Sequence, residues 1–426
     1  MEAWALCKRE SWLYWWLMLH ILVIRQIQGD CIEEERKTLL EIKASHINSY
    51  DSNINHFLPT WVDYGDDCCD WERVNCNTTT GHVTDLSLYN LRGMIDVDME
   101  LQSKYQGNKL WPLNVSLFLH FKELKSLNLS YDFLDKEIMK TGLESLSSLN
   151  KLEMLDLSKN FDIDNDILPS LMKLTSLIIL DLSYTGLNGY LPTNEFAALE
   201  NLEMLDLTQC DFNGTSEIQG FKRVPILSKL KTLNLGSNEF DESVMTFINN
   251  LSSLRNLDVS NNPLSGPFPA QGLAHLKNIE KLDLSYTMLD GTPNIQACKS
   301  LSRLKRLESI VLSKNNFNKS ILSCLSSLPS LKILDLSYSV SLGESFPDQE
   351  LPNLHDLKVL RLTNNGFNGT LPMEALSSFR YLEILDLSGN NFVGSIPSTI
   401  AALSSLQVVS FNNNELNGSL PDHGLF

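Results

Sequence analysis

The feature that most constrains this chain is a motif, LxxLxLxxNxL, that recurs along most of its length. Twelve copies begin at residues 124, 152, 177, 202, 230, 254, 279, 307, 331, 357, 382 and 406, so the average spacing is about 26 residues. A degenerate copy, VTDLSLYNLRG, begins at Val83. Because one such unit cannot bury both of its faces alone, the copies are expected to stack on one another and share a continuous core.

Within each copy, the fourth and sixth positions are apolar and alternate with polar neighbours. This alternation predicts a short strand that points two leucine-like side chains inward. The segment that returns to the next strand, such as IPSTIAALSSL from Ile396, supplies further apolar side chains. The period lies within the range of leucine-rich repeats, so the strands are expected to stack in parallel.

The ninth position of the repeat holds a small polar side chain or a thiol in every copy. Such side chains suit a buried turn in which backbone groups need hydrogen-bond partners. Cys210 is therefore interpreted as a structural member of this column and not as a reactive thiol. Asp132 is less usual because a carboxylate cannot donate, so it either faces solvent or accepts from backbone N–H groups. The column comprises Asp132, Asn160, Thr185, Cys210, Asn238, Asn262, Thr287, Asn315, Ser339, Asn365, Asn390 and Asn414.

The beginning of the chain is typical of a cleaved secretory signal, which we assign to residues 1–29. Lys8 and Arg9 precede an apolar run from Trp12 to Ile24 that is short for a membrane span. An exported chain enters an oxidising compartment, where cysteines pair. Eight N-x-[ST] sequons agree with a glycoprotein. They lie at Asn77, Asn114, Asn128, Asn213, Asn250, Asn318, Asn368 and Asn417.

The formal net charge of the chain is −18. Nucleic-acid binding requires clusters of basic side chains that neutralise phosphates, and the sequence has no long basic run. We therefore expect no nucleic-acid partner.

Residues 67–76 read DCCDWERVNC, with two adjacent cysteines and a third seven positions later. A bridge between Cys68 and Cys69 would need a strained ring, so each is expected to take a different partner. With Cys31 and Cys76 as the other two members, this reasoning leaves two possible pairings open.

The sequence resembles the plant leucine-rich-repeat receptor-like proteins, and also the extracellular parts of receptor kinases and the polygalacturonase inhibitors. The resemblance rests on CIEEERKTLLEIKA, on CCDWERVNC against the family's CC-x-W-x-x-V-x-C, and on NGTLP, VGSIP and NGSLP against G-x-[IL]-P. In that family the cysteine segment is an N-terminal cap. The resemblance implies the pairs Cys31–Cys68 and Cys69–Cys76.

A cap is physically useful because the first repeat would otherwise expose an apolar edge. We predict a helix from about Ile32 to Ile47, with Asp30 and Glu33 as a capping box and with Leu40, Ala44 and Ile47 on the side that covers this edge. The predicted fold is an α/β solenoid: a right-handed leucine-rich-repeat superhelix with a parallel sheet on the concave face and a helical, disulfide-bonded N-terminal cap. The expected divisions are the signal peptide at 1–29, the cap at 30–80, a degenerate first repeat with an insertion at 81–123, and twelve repeats at 124–426, the last incomplete.

The insertion between Arg92 and Lys122 lacks the repeat pattern. It is expected to pack on the cap or to form a partner surface. Cys298 and Cys324 lie on the return segments of adjacent repeats, where either a third bridge or two separate buried thiols fit the spacing.

No sequence motif of a known enzyme class is present, and the eight histidines are scattered. We therefore expect no enzyme, no cofactor, no catalytic residue and no metal site. Aspartates recur at the fifth position, and we interpret them as the ordinary outer face of parallel strands and not as metal ligands. They are Asp156, Asp181, Asp206, Asp258, Asp283, Asp335 and Asp386.

The eighth position, at the edge of the predicted sheet, carries large side chains in six repeats. Tyrosine and lysine on the inner face of a solenoid are candidates for ligand contact, although they could also merely cover neighbouring strands. The candidates are Tyr131, Lys159, Tyr184, Tyr286, Lys314 and Tyr338. The last three occupy consecutive repeats and are expected to form one patch.

The resemblance implies extracellular recognition of a peptide, protein or glycan ligand, in defence or peptide perception, with signalling through a partner receptor kinase. The alternative is a secreted inhibitor of a cell-wall hydrolase, like the polygalacturonase inhibitors. The sequence stops at Phe426 within a return segment, which suggests a truncated receptor. The expected location is the secretory pathway, then the extracellular face of the plasma membrane for a full-length receptor or the extracellular space for a complete secreted chain.

Overall fold

The computed structural model describes residues 30–49, 58–65, 67–91, 110–215, 227–291, 293–351 and 354–417. The predicted signal peptide, the first part of the insertion and the last nine residues lie outside this range. The chain divides into two compact units, Met1–Leu180 and Asp181–Phe426, each of which is described by itself.

The first unit contains the cap and the first repeats. Its helices are α1 (Glu33–Ser49), α2 (Lys136–Gly142) and α3 (Leu168–Leu171), and its strands are β1 (Val74–Cys76), β2 (Val83–Ser87), β3 (Ser126–Asn128) and β4 (Met154–Asp156), with β5 (Ile179–Asp181) at the boundary. Strands β2, β3 and β4 are parallel and in register. The cap strand β1 pairs with β2 in the antiparallel direction, which the repeat pattern did not predict.

The second unit repeats one strand and one return segment throughout. Its main strands are β7 (Met204–Asp206), β9 (Thr232–Asn234), β10 (Asn256–Asp258), β11 (Lys281–Asp283), β12 (Ser309–Val311), β13 (Ile333–Asp335), β14 (Val359–Arg361), β16 (Ile384–Asp386) and β18 (Val408–Ser410). Each is parallel to the next, and the middle residues of neighbouring strands lie opposite one another, as Leu257 does to Leu233 and Leu282. Register is maintained because the middle residues of the main strands from β7 to β16 are buried core side chains.

A second line of short parallel strands follows the turns that end some of the main strands. It consists of β6 (Gly189–Leu191) with β8 (Phe212–Thr215), and of β15 (Asn368–Gly369), β17 (Asn391–Gly394) and β19 (Glu415–Leu416). Short helices then lead back to the next repeat. They are α4 (Thr193–Phe196), α5 (Val244–Ile248), α6 (Ala270–Leu273), α7 (Ile295–Ser300), α8 (Ser320–Leu325) and α9 (Met373–Leu376).

The core is built from the first, fourth, sixth and eleventh positions of the repeat. Leu331, Leu334 and Leu336 of one repeat are almost completely buried, and phenylalanines at the eleventh position contact each other across repeats. The ring centroids of Phe212 and Phe240 are 6.2 Å apart. These features confirm the leucine-rich-repeat solenoid, and the bridges Cys31–Cys68 and Cys69–Cys76 confirm its disulfide-bonded N-terminal cap.

Helix α1 is present as predicted, but the predicted buried face was wrong. Leu40 is half-buried, and Ala44 and Ile47 are exposed. The helix instead buries a face that carries a glutamate and a histidine. It comprises Glu35, Leu39, Ile42 and His46.

The reason lies in the backbone of the first regular strand. The carboxylate of Glu35 accepts a hydrogen bond from Val83 N–H at 2.8 Å and lies 2.8 Å from Nδ1 of His82. Val83 begins β2, so this carboxylate satisfies a backbone donor at the start of the strand. A pattern that counts only apolar residues does not detect such a buried polar face.

The described part of the insertion packs on the cap. Trp111 is fully buried, its ring centroid lies 4.9 Å from that of His46, and its Nε1–H donates to Ser45 Oγ at 3.2 Å. His120 lies 2.8 Å from a carboxylate oxygen of Glu34. Of the two predicted roles for this segment, cap packing is the one that these residues show.

Candidate functional site

The eighth position of the repeat has a left-handed backbone in all twelve copies. This conformation lets the chain turn away after the inward-pointing sixth residue, and only glycine adopts it without a steric cost, with asparagine next. The residues are Tyr131, Lys159, Tyr184, Gln209, Ser237, Asn261, Tyr286, Lys314, Tyr338, Asn364, Gly389 and Asn413, with φ between 52° and 67°. The sequence analysis did not predict this left-handed backbone. The residues that indicate it are those that adopt it most readily, at Asn261, Asn364, Gly389 and Asn413.

Tyr286, Lys314 and Tyr338 lie side by side, and we call them the tyrosine–lysine cluster. Nζ of Lys314 is 4.8 Å from the ring centroid of Tyr286 and 5.4 Å from that of Tyr338. These distances are within the range of cation–π attraction. The tyrosines remain 50% and 49% exposed, so half of each side chain is open to a ligand.

The surroundings of the cluster are open and chemically mixed. Met288, which is 63% exposed, and Asp290 line a shallow depression together with the three cluster residues. Met288 lies two positions after Tyr286 and also has a left-handed backbone, with φ of 59°. The depression therefore offers aromatic, thioether, ammonium and carboxylate groups within one small area.

The other three candidates do not belong to this cluster. Tyr131 is only 4% exposed, because Phe133 and Lys159 cover its ring at centroid distances of 6.1 and 5.2 Å. The structure thus corrects the expectation that Tyr131 is available to a ligand. Lys159 and Tyr184 are half-buried.

The aspartates at the fifth position close the turn that follows each strand. Oδ1 of Asp283 accepts from Ser285 N–H at 2.8 Å, and Oδ1 of Asp335 accepts from Ser337 N–H at 2.9 Å. The same bond is made by Asp156, Asp181, Asp206, Asp258 and Asp386. Burial raises the pKa of Asp283, and the neighbouring carboxylates of Asp258 and Asp335 add to this effect. The hydrogen bonds give this column a structural role.

The ninth-position side chains form a buried hydrogen-bond column. Oδ1 of Asn238 accepts from the N–H groups of Cys210 and Phe212 at 3.1 and 3.0 Å, and its Nδ2 donates to Leu207 O at 2.8 Å. Its Nδ2 also donates to Leu235 O of its own repeat at 3.0 Å, so the asparagine satisfies backbone groups of two adjacent repeats. Asp132, which is fully buried, accepts from Leu91 N–H at 2.8 Å, so the solvent-facing alternative for this residue was wrong.

Cys210 replaces asparagine in this column. It is buried and unbridged, and its thiol donates to Leu182 O at 3.1 Å. Burial raises the pKa of the thiol to about 11. A thiol with so little thiolate at neutral pH is a poor nucleophile, which agrees with a structural role.

Three disulfides link the other cysteines of the described residues. Two are in the cap, Cys31–Cys68 and Cys69–Cys76, and the third is Cys298–Cys324 between adjacent return segments. Within the described residues, one group of potential metal ligands combines Asp67 with three of the cap cysteines. These cysteines are oxidised and cannot supply thiolates, so the group does not suit a metal ion.

The sequon asparagines differ in their exposure. Asn77 and Asn128 are half-buried, whereas the other six are exposed at Asn114, Asn213, Asn250, Asn318, Asn368 and Asn417. Among the residues that the structure describes, no helix has the length and apolar character that a bilayer span requires.

Comparison with known proteins agrees with this architecture. A model of the leucine-rich-repeat N-terminal domain matches residues 32–77, and a leucine-rich-repeat model matches residues 253–272 and 381–403. Receptor like protein 21 of Arabidopsis thaliana is 36% identical over 241 residues, which cover 54% of this chain and 22% of the relative. Receptor-like protein 1 of the same plant is 30% identical over 435 residues, which cover 82% of this chain and 38% of the relative. This chain therefore spans well under half the length of these relatives.

Solved structures share the fold. The ectodomain of the Arabidopsis thaliana receptor kinase GASSHO1/SCHENGEN3, solved in complex with CASPARIAN STRIP INTEGRITY FACTOR 2, matches with a TM-score of 0.55 and 23% identity over 90% of this chain and 45% of that chain. The Leptospira interrogans leucine-rich-repeat protein LIC12759 matches with a TM-score of 0.53 and 29% identity over 71% of this chain and 69% of that one. The repeat, the cap disulfides, the matching family models and the receptor-like relatives show that the chain belongs to the plant leucine-rich-repeat receptor-like proteins.

Proposed function

We propose that this chain recognises an extracellular peptide or protein ligand through the solvent-exposed face of its parallel sheet, and that the tyrosine–lysine cluster is the principal contact. The observation that carries the proposal is the position of the Lys314 ammonium between two half-exposed tyrosine rings. The receptor-like names of its relatives support recognition as the general activity.

The cluster residues are costly choices for the backbone they occupy. Left-handed geometry at a non-glycine residue costs about 1–2 kcal/mol, and asparagine, which tolerates this region better, is present at the same position in other repeats. Two tyrosines and a lysine in three consecutive repeats are therefore not explained by the needs of the turn. A contact surface is a sufficient reason, because tyrosine is one of the residues that dominate the energetics of many interfaces.

The arrangement also restricts the chemistry of the ligand. Contact with two rings orients the Lys314 ammonium, so it is suited to bind a carboxylate of the ligand in a charge-assisted hydrogen bond. The exposed ring surfaces and Met288 suit an apolar or aromatic side chain beside that carboxylate. A peptide with an acidic group next to an apolar one fits both requirements.

The neighbouring sheet face extends this surface. The third position of four consecutive strands is apolar and in register, at Ile333, Val359, Ile384 and Val408. Along the fifth position, Arg361 lies between Asp335 and Asp386 on adjacent strands. An extended ligand that crosses these strands would meet an apolar row beside alternating charges.

The wider role is part of the same proposal. The chain would act at the extracellular face of the plasma membrane, in defence or peptide perception, and would signal through a partner receptor kinase. The predicted secretory signal, the N-terminal cap and the receptor-like relatives support this role.

Selection of binding peptides tests the proposal and identifies the ligand chemistry in the same experiment. A displayed library of random peptides is selected against the secreted full chain, and the enriched peptides are measured on a variant with Tyr286→Asn and Tyr338→Asn. We expect peptides with an acidic group beside an apolar residue, and a loss of affinity of about tenfold or more in the variant, because two anchors each contribute about 1 kcal/mol or more.

The double variant should fold normally, because asparagine already occupies the eighth position at Asn261 and Asn364 with the same left-handed backbone. The control changes Gln209→Asn and Ser237→Asn, which alters the same position in two other repeats and should leave peptide affinity unchanged. Peptides that bind the double tyrosine variant as tightly as the unmodified chain would exclude the cluster as the contact.

A further inference from the structure

Four of the eight sequons occupy the same position of the repeat. Asn213, Asn318, Asn368 and Asn417 are each the twelfth residue of their copies, in the repeats that begin at 202, 307, 357 and 406. All four belong to the second unit and all four side chains are exposed. A shared position in a solenoid means that side chains project from the same side of the stack.

The local backbone gives this exposure a physical reason. Each sequon asparagine directly follows the eleventh-position residue of its repeat. In three of the four repeats this residue is a fully buried phenylalanine, at Phe212, Phe317 and Phe367, and in the last it is the half-buried Leu416. Successive residues of an extended segment point to opposite sides, so the next residue must point outward. The exposure of the acceptor asparagine is thus a consequence of the repeat.

The second line of short strands places three of these residues along one edge, and Asn318 occupies the same position of its repeat. Asn213 lies within β8 and Asn368 within β15, while Asn417 directly follows β19. Backbone bonds from Asn368 N–H to Glu344 O and from Asn417 N–H to Gly394 O, both 2.7 Å, join the segments to the preceding repeats. We call this edge, at the twelfth positions, the strand-end flank.

From this geometry we infer that Asn213, Asn318, Asn368 and Asn417 carry N-linked glycans in a row, and that this row closes the strand-end flank of the second unit to macromolecular partners. The inference depends on the secretory route of the proposed function. The inference also restricts the direction from which partners can approach. They reach the sheet face, or the opposite flank where each strand starts, and they do not reach the strand-end flank.

The modification is a group transfer from a lipid-linked oligosaccharide diphosphate, catalysed by the oligosaccharyltransferase of the secretory pathway. A bond forms between Nδ2 of the asparagine and C1 of the first sugar, and the bond from C1 to the diphosphate oxygen breaks. The amide proton passes to a base of the enzyme, and the lipid diphosphate leaves.

The remaining sequons are not part of the row. Asn250 lies just after α5 on a return segment, and Asn128 is within strand β3, on the sheet face of the first unit. Asn77 and Asn114 also belong to the first unit.

Site occupancy is the first test. The full chain is secreted from plant cells, treated with a peptide-releasing N-glycosidase in ¹⁸O water, and digested for mass spectrometry. We expect the label at all four twelfth-position asparagines in more than half of the molecules. Two or more of these sites without label would overturn the inference, whereas the peptide-selection result would still decide the proposed function.

Closure of the flank is the second test, and two lysines serve as reporters. Lys319 follows Asn318 on the strand-end flank, and its Nζ lies 2.6 Å from Ser345 Oγ. Lys305, which is exposed, lies two residues before the next repeat, on the flank where strands start. An amine reagent attached to a bulky polymer is applied before and after enzymatic removal of the glycans.

Polymer labelling of Lys319 should rise several-fold when the glycans are removed, whereas labelling of Lys305 should not change. A small acetylating reagent is the control for intrinsic reactivity, and it should modify each lysine equally in both forms. Equal polymer labelling of Lys319 with and without glycans would show that the flank stays open and would overturn the closure.

Discussion

At the scale of single residues, polar side chains of the repeat satisfy the backbone where each strand turns. The fifth-position aspartate accepts from the N–H two residues later, and the ninth-position asparagine bridges backbone groups of two repeats. Buried backbone groups without partners are costly, so these side chains are part of the fold. At Asp283 this arrangement carries an energetic penalty, because burial disfavours the charged carboxylate.

Asp283→Asn is predicted to stabilise the protein at neutral pH. The raised pKa of Asp283 means that the folded state holds its proton to higher pH than the unfolded state does. Below about pH 3.9, the pKa of an aspartate in the unfolded chain, the protonated Asp283 side chain contributes fully to stability. This contribution is lost as the pH rises through the pKa of Asp283 in the folded protein. Asparagine keeps the acceptor for Ser285 N–H without the charge, so thermal melting should show a gain at pH 7 that disappears near pH 3.

The control for this prediction is Asp386→Asn. In register with Asp386 lie Arg361 and Ser410, so no carboxylate of an adjacent strand occupies the same position. Because a guanidinium lies beside Asp386 whereas a carboxylate lies beside Asp283, this variant should gain less stability at pH 7 than the Asp283→Asn variant. A melting temperature of the Asp283→Asn variant that does not exceed that of the unmodified protein at pH 7 would contradict the argument.

At the scale of the element, one strand and its return segment depend on their neighbours. Leu257 lies between Leu233 and Leu282 on adjacent strands, and Leu334 lies between Ile310 and Leu360. Because each inward side chain fills space between two repeats, its loss affects three units at once.

Leu257→Ala and Leu334→Ala are each predicted to cost about 2–5 kcal/mol, as large-to-small changes in close-packed cores do. Both side chains are buried, with 2% and 0% exposure. Denaturant unfolding followed by circular dichroism measures the loss. Val408→Ala is the matched control, since Val408 is 54% exposed and should cost less than about 0.5 kcal/mol. Unfolding midpoints that match the unmodified protein in both leucine variants would contradict the inward assignment.

At the scale of the whole molecule, the cap protects the first strand of the array. Helix α1 covers the start of β2 through Glu35, and β1 pairs along its edge. The disulfides hold these pieces together: Cys31–Cys68 closes a long loop, with a sequence separation of 37, whereas Cys69–Cys76 closes a short one of 7.

We therefore predict that loss of the long-loop bridge, in the double variant Cys31→Ser and Cys68→Ser, destabilises the cap by about 4 kcal/mol in the chain-entropy description. Loss of the short-loop bridge, in the double variant Cys69→Ser and Cys76→Ser, should destabilise it by about 2.5 kcal/mol. Hydrogen exchange of the β1 and β2 amides measures local opening in each variant. Faster exchange in the short-loop variant than in the long-loop variant would contradict this order.

The repeat and the cap were predictable because their signals are local or periodic. The inward leucines follow from alternation within a strand, and the ninth-position asparagines follow from their column. The aromatic candidates were predicted less well. Tyr286 and Tyr131 share one position and one residue type, yet Tyr286 is half-exposed whereas Phe133 and Lys159 cover Tyr131. Exposure at this position depends on side chains from neighbouring segments, which a single column does not contain.

The sequence by itself determined the period, the inward positions and the presence of a capped solenoid, because each repeat interacts mainly with the repeats beside it. Only the tertiary structure decided which face of α1 is buried, that the cap adds an antiparallel strand, and that Lys314 lies between two open tyrosine rings. These features depend on the three-dimensional positions of groups in different elements, such as the Val83 N–H that draws Glu35 inward. A pattern read along one segment does not contain those positions.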